Sequence, residues 1–142
     1  MKDFKEFLKS GIVKRQTPNK ERALSLITES TQKKSYLETT MKIIPKEKWN
    51  PNVIVDQCYD IIMELIRAKM FQNGYNAGNS HEAEVSYMKI MGFSEAQTKY
   101  MDEIRYYRNG TKYYGTILNN EYMEGVIEFL NNVYPKLIQL IE

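Results

Sequence analysis

A single cysteine and a single histidine stand in these 142 residues, and their scarcity removes several kinds of chemistry at once. With Cys58 alone, no disulfide can close within the chain, and its place in the apolar-periodic stretch VIVDQCYDIIMELI reads as a buried structural thiol. One histidine and one buried cysteine leave only carboxylates as metal ligands, and no cluster of them occurs, so no metal site is expected. Glycine (7) and proline (4) are too few for a low-complexity segment. The glycines of NGYNAGNS do not form a phosphate-cradling loop, and no nucleophile elbow is present, so no cofactor is expected either. No apolar run approaches the ~18 residues of a membrane span. The first residues, MKDFKEFLKSG, mix acids into a short amphipathic pattern unlike a signal peptide, so the expectation is a cytoplasmic protein with no membrane partner.

What is present suits one folded domain over residues 1–142: 42% hydrophobic and 27% charged residues are ordinary for a globular chain, and two domains of this total length would each be marginal. The net charge of +2 conceals an asymmetry. Residues 1–50 carry 12 Lys and Arg against 6 Asp and Glu, a net +6, and residues 51–142 carry 8 against 12, a net −4. Lys14, Arg15, Lys20, Arg22, Lys33 and Lys34 form a mildly basic segment, either a solvated helix face or a surface that attracts a phosphate backbone.

Helical periodicity dominates. A short N-terminal helix is followed by QTPNKERA, where Thr17 or Asn19 can cap a long helix carrying Ala23, Leu24, Ile27 and Leu37 toward Met41. IIPKEKWNPN interrupts it. From Asn52, residues Ile54, Cys58, Ile61, Leu65 and Ala68 recur at four-three spacing, widened by Val55, Tyr59, Ile62 and Ile66, which predicts the most buried helix. Asn79 or Ser80 caps a short helix that stops at Gly92, and SEAQ from Ser94 is a capping-box pattern launching Tyr100, Met101, Ile104 and Tyr107. The last helix holds Met123, Val126, Ile127, Leu130, Val133, Leu137 and Ile141, with a kink or break predicted at Pro135. No strand alternation persists. The prediction is an all-α, antiparallel up-down helical bundle of about five main helices, with its core over residues 18–141.

The stretch RYYRNGTKYYG, Arg105 to Gly115, is the least ordinary: four tyrosines, three cations and two glycines where an apolar-periodic helix is ending. Met101, Ile104 and Arg108 share a face at steps of three and four, which brings Arg108 close to the buried stripe. A guanidinium there requires a carboxylate, phosphate or carbonyl partner. Asp102 is placed to serve Arg105, and no acid lies within a turn of Arg108 on the same helix. NG reads as a helix stop with Gly110 in the left-handed position, after which KYYG turns outward. His81, in NSHEAE, falls at the first or second position of the short helix, where its ring reaches water or a helix end, or alternatively folds back toward Arg108.

The long first helices, the SHEAEVSYMKIMGFS segment and the RNG near the end of the fourth helix resemble the HEPN domain (higher eukaryotes and prokaryotes nucleotide-binding) over roughly residues 18–141. That family's signature is an arginine, usually followed by a polar residue such as Asn, then four to six residues and a histidine. Arg108 and Asn109 match its first two positions. Tyr113 and Tyr114 stand where the histidine would fall. The resemblance implies a homodimer whose paired motifs face one another across a cleft, metal-independent cleavage of RNA, and membership of a toxin-antitoxin pair.

Two functions follow as expectations. The first is an RNA- or nucleotide-binding module that engages its ligand through Arg105, Arg108, Asn109, Lys112, Tyr113 and Tyr114, with a nucleotidyltransferase-type antitoxin as partner. The second is a metal-independent ribonuclease, active or vestigial, using Arg108 with Tyr113 or His81. Tyrosine ionises too far above neutrality to be a ready general base, which weighs toward binding. A structural role, with Arg108 and the tyrosines packed across a dimer interface, is the remaining reading.

Overall fold

Five side chains fix where the long helices begin. Asn19, Asn50, Ser80, Ser94 and Asn119 each accept a backbone amide three residues ahead, satisfying a donor that the first helical turn leaves free. At Ser94 the bond is reciprocated, since Gln97 Oε1 accepts from the Ser94 amide at 3.0 Å. The computed structural model describes residues 1–141. Among these, the elements in chain order are α1 (Phe4–Lys9), β1 (Lys14–Arg15), α2 (Lys20–Ile43), α3 (Pro51–Gln72), β2 (Tyr75–Asn76), α4 (His81–Ile90), α5 (Glu95–Tyr113) and α6 (Asn120–Ile141), with one 3-10 turn at Lys46–Lys48.

The result is an all-α bundle built around α3, which packs against α2, α4, α5 and α6. Ile61, Ile62, Leu65, Ile66 and Ala68 are fully buried, as the four-three spacing requires, and each large aliphatic side chain so buried contributes about 1.5–3 kcal/mol. Helix α2 runs antiparallel to α3: Arg22 lies on the Phe71 ring near one end of the pair, and the Ser30 hydroxyl donates to the Ile61 carbonyl further along. Helix α6 lies parallel to α3, since Asn52 at the start of α3 bonds both Thr116 and Leu118, and Gln72 at its end donates to the Ile141 carbonyl. Helix α5 returns from α4 toward the beginning of α3, bringing Arg108 beside Asp56. The long helices thus alternate in direction along the chain, as expected. Short α1 covers α4 with Phe4 and Phe7, and Phe4 packs edge-on against Tyr87.

Two expectations change, and of the kink or break allowed for at Pro135 the break does not occur. The chain does contain strand pairing: Lys14 and Arg15 pair antiparallel with Asn76 and Tyr75, a two-residue tether too short to show as alternation. Helix α6 continues through Pro135 instead of breaking, because Pro135 is exposed and the Asn131 carbonyl that loses an amide partner lies on the same solvent-facing side. Leu24, placed on the packed face of α2, is 63% exposed at the edge of a groove shared with Ile27, Ile138 and Ile141.

The tether depends on Gly74. Its φ of +78° is left-handed, its carbonyl accepts from the Gln16 amide at 2.8 Å, and a Cβ there would lie 2.5 Å from the Gln16 carbonyl oxygen. Gly78 is also left-handed, with open space around it. Gly78→Ala is therefore expected to lose only the roughly 1–2 kcal/mol of a left-handed alanine. Gly74→Ala should lose distinctly more in urea unfolding, because the β pair must also separate, and equal losses would refute this account of the tether.

Candidate functional site

Two polar regions emerge, with no side-chain hydrogen bond or ion pair between them among the described residues. The first is the end of α5. Helix geometry carries Arg105 and Arg108 along the edge of the core, where Met101 and Ile104 are fully buried. Arg105 Nε donates to Asp102 Oδ1 at 2.8 Å, the local pairing its spacing anticipates. Arg108 finds its partner across the bundle: Nε donates to Asp56 Oδ1 at 2.8 Å, Nη2 lies 3.8 Å from Asp60, and the guanidinium sits over the Tyr59 ring at 5.3 Å. Burial alone would favour loss of the Arg108 proton. The Asp56 hydrogen bond and the charges of Asp56 and Asp60 outweigh it and raise the guanidinium's pKa above its ordinary value. Asp60 is itself held high, chiefly by burial and by Asp56, with Arg108, Lys33 and Lys112 offsetting part of the rise.

The NG dipeptide does not stop α5. Gly110 is helical, and the left-handed position belongs to Gly115, with φ +71°. The reason is a fold-back: the Tyr114 and Thr116 amides both donate to the Gly110 carbonyl, and a Cβ on Gly110 would lie 2.9 Å from Thr116 Oγ1. One extra turn of helix therefore carries Lys112 and Tyr113 before the chain reverses. Tyr113 and Tyr114 do turn outward, at 66% and 84% exposure, joined by Tyr106 and Ile117. Lys112 Nζ lies 5.7 Å from the Tyr113 ring centroid, and Asn109 is half-buried with no side-chain hydrogen bond among the described residues.

The second region holds His81. It is the first residue of α4, as expected, and its bond is made within that first turn: Nδ1 lies 2.8 Å from Glu84 Oε1. A carboxylate opposite Nδ1 favours a proton there and leaves Nε2 turned away from Glu84. His81 therefore does not fold back to Arg108. It is held by Glu84, whose two oxygens also accept from Arg67 Nε and, at 3.1 Å, from Arg67 Nη2. Glu84 is buried. Burial pushes its carboxyl up, but the hydrogen bonds from His81 and Arg67, with their charges, bring it below the ordinary value. These residues open onto a 240 Å³ cavity that also reaches Arg22, Tyr75 and Asn76. Arg67 and Glu84 escape the reading of the sequence, which names Arg22 only as part of the basic segment. The HEAE spacing puts His81 and Glu84 on one face, and that was the available signal; Arg67 lies 17 residues from Glu84, on another helix.

Of the remaining sequence-level expectations, Cys58 is buried and its thiol is pushed up by that burial to about 12, an inert structural group. No helix among the described residues is long and apolar enough to cross a membrane. No family model, no curated protein and no solved structure matches the chain.

Two stability measurements probe these regions. Glu84→Gln strands Arg67 and is expected to destabilise by about 3 kcal/mol at neutral pH. Because the folded pKa of Glu84 is depressed, its contribution is fully present above about pH 4.5, the ordinary carboxyl value, and drains away as pH falls through the lower folded value. The difference between wild type and variant should therefore shrink in acid; a difference constant with pH would contradict the ion pair. Tyr59 carries a buried hydroxyl with no hydrogen-bond partner among the described residues, and burial raises its pKa. Tyr59→Phe removes an unsatisfied group and should be neutral or stabilising, by up to about 1 kcal/mol. A clear loss in urea unfolding would show that the hydroxyl is bonded.

Proposed function

We propose that the protein is a HEPN-like helical module that binds RNA or a nucleotide through the end of α5, acts as a homodimer across that surface, and belongs to a toxin-antitoxin type pair with a nucleotidyltransferase-type partner. The observation that carries the reading is the exposure of Tyr106, Tyr113 and Tyr114 beside Lys112 on the last turns of one helix. Aromatic faces open to solvent next to a cation are what unpaired bases and their phosphates require, and each base stacked is worth about 1–3 kcal/mol. Aromatic enrichment of this kind also suits the core of an interface, and a dimer joined here would line one groove with both copies.

Within this reading Arg108 is a supporting residue. Its charge is already shared with Asp56 and Asp60, so a phosphate gains less from it than from a free guanidinium. No acid-base pair forms in the motif, because Tyr113 points to solvent and His81 is engaged elsewhere. That combination favours binding over cutting.

The test is binding of labelled single-stranded RNA in chelator, with light scattering at tens of micromolar protein. Tyr113→Ala and Tyr114→Ala should each weaken binding about tenfold, and Arg108→Ala by less. Affinity should fall with salt by about 0.7 log per log for each phosphate contacted. RNA left intact is the expected outcome. Chelator-resistant cutting lost in Arg108→Ala would replace the binding module with a ribonuclease, and cutting lost in His81→Ala but kept in Tyr113→Phe would place the base at His81. A monomer without RNA affinity at low salt would refute the proposal.

A further inference from the structure

We infer that the cavity between the start of α2, the end of α3 and the start of α4 is a binding site for a small phosphomonoester, separate from the α5 surface. Its wall presents Arg22, Arg67 and His81, and one acid, Glu84, whose oxygens are already taken by Arg67 and His81. Arg22 has no carboxylate partner among the described residues; its guanidinium is held 4.6 Å from the centroid of the Phe71 ring. Counting only the two guanidinium charges and the one carboxylate, the wall stands at +1. The mouth adds to this, since an adjoining 530 Å³ depression shares Asn76, Ala77 and Gly78 with the cavity and brings Lys14 and Arg15. The positive end of the α4 dipole, where His81 is the first residue, has the same sign.

The donors are built in place. Glu84 is 2% exposed, and a buried carboxylate held by Arg67 and His81 gains little stability over apolar packing of the same volume. What it does secure is orientation. Arg67 Nε and Nη2 face Glu84, which leaves Nη1 for a ligand; His81 Nδ1 faces Glu84, which leaves Nε2. A phosphomonoester suits this set, because its oxygens accept from Arg22 and Arg67 while a further oxygen or an adjacent hydroxyl shares a hydrogen bond with Nε2. A cavity of 240 Å³ exceeds what a phosphate group fills, and Met70, Phe71 and Tyr75 line the rest, so the organic part is of about the size of one sugar ring.

His81 is the only histidine, so its imidazole gives a single set of proton-carbon NMR signals without assignment. The experiment titrates the full chain at constant pH with ribose 5-phosphate, inorganic phosphate and ribose. Ribose 5-phosphate should shift the His81 ring signal saturably with a Kd of about 1 mM or tighter, inorganic phosphate more weakly, and ribose not at all. Arg22→Gln, an exposed substitution whose fold is checked by circular dichroism, should weaken the ribose 5-phosphate titration at least about tenfold, and Tyr113→Ala should leave it unchanged. No saturable shift, an equal shift with ribose, an undiminished titration in Arg22→Gln, or a titration abolished by Tyr113→Ala would each overturn the site.

Discussion

Helix α3 is packed against four other helices, yet Asp56, Asp60, Glu64 and Arg67 repeat along it at steps of four, four and three, so a charged stripe runs down the most enclosed element of the bundle. A charge so placed is expensive unless an opposite charge reaches it, and three of the four neighbouring helices supply one. Helix α5 sends Arg108 to Asp56 and Asp60, α2 sends Lys33 to within 3.1 Å of Glu64, and α4 sends Glu84 to Arg67. Apolar burial sets how much stability the bundle has. The stripe sets which rotation and height of α2, α4 and α5 satisfy it, because a helix displaced by one turn would leave at least two groups unpaired.

This constraint divides the charged side chains into two populations. Those that answer α3 are compensated: Arg108 is 14% exposed with two carboxylates beside it, and Lys33 is tied to Glu64. Among those that do not answer it, some pair locally, as Arg105 does with Asp102, and others are available. Lys112, one turn beyond Arg108, passes the end of the stripe and stands among solvent-facing tyrosines, while Arg22, above the other end, rests on Phe71. The signature-like Arg108 thus holds α5 in register, and the more accessible cations lie at the two ends of α3. Both proposed ligand surfaces fall there, where the bundle's internal electrostatics are already satisfied.

The same division explains how much could be read from the sequence. Helix boundaries were legible because their determinants are local: a capping Asn or Ser and an apolar period lie within one or two turns of each other. Arg105 with Asp102 was legible for the same reason. Arg108 was legible as a residue needing a partner, but the partner is 52 residues away, on a helix whose rotation no local pattern states. The error at Gly110 has a similar origin. NG is a stop signal in isolation, but the close return of the Thr116 side chain favours a glycine inside the helix, and Gly115 takes the left-handed turn. His81 and Glu84 were adjacent on one face of α4, and only the arrival of Arg67 from α3 turns that pair into the wall of a cavity.

Tyr59 lies where the two regions come nearest electrostatically: Arg108 stacks on its ring, and the charges of both Arg108 and Glu84 act on its hydroxyl. That hydroxyl has no hydrogen-bond partner among the described residues, so no hydrogen bond through Tyr59 joins the stripe's two ends. Any coupling between a ligand on α5 and one beside His81 has to pass through charge or through rigid movement of α3. Charge attenuates quickly over such a path, since Asp56 and Asp60 share Arg108 as counterion and Glu64 has Lys33. Movement is resisted by the all-round packing of α3. The architecture therefore favours two surfaces that work independently on one rigid core, with α3 as a common support and not as a relay.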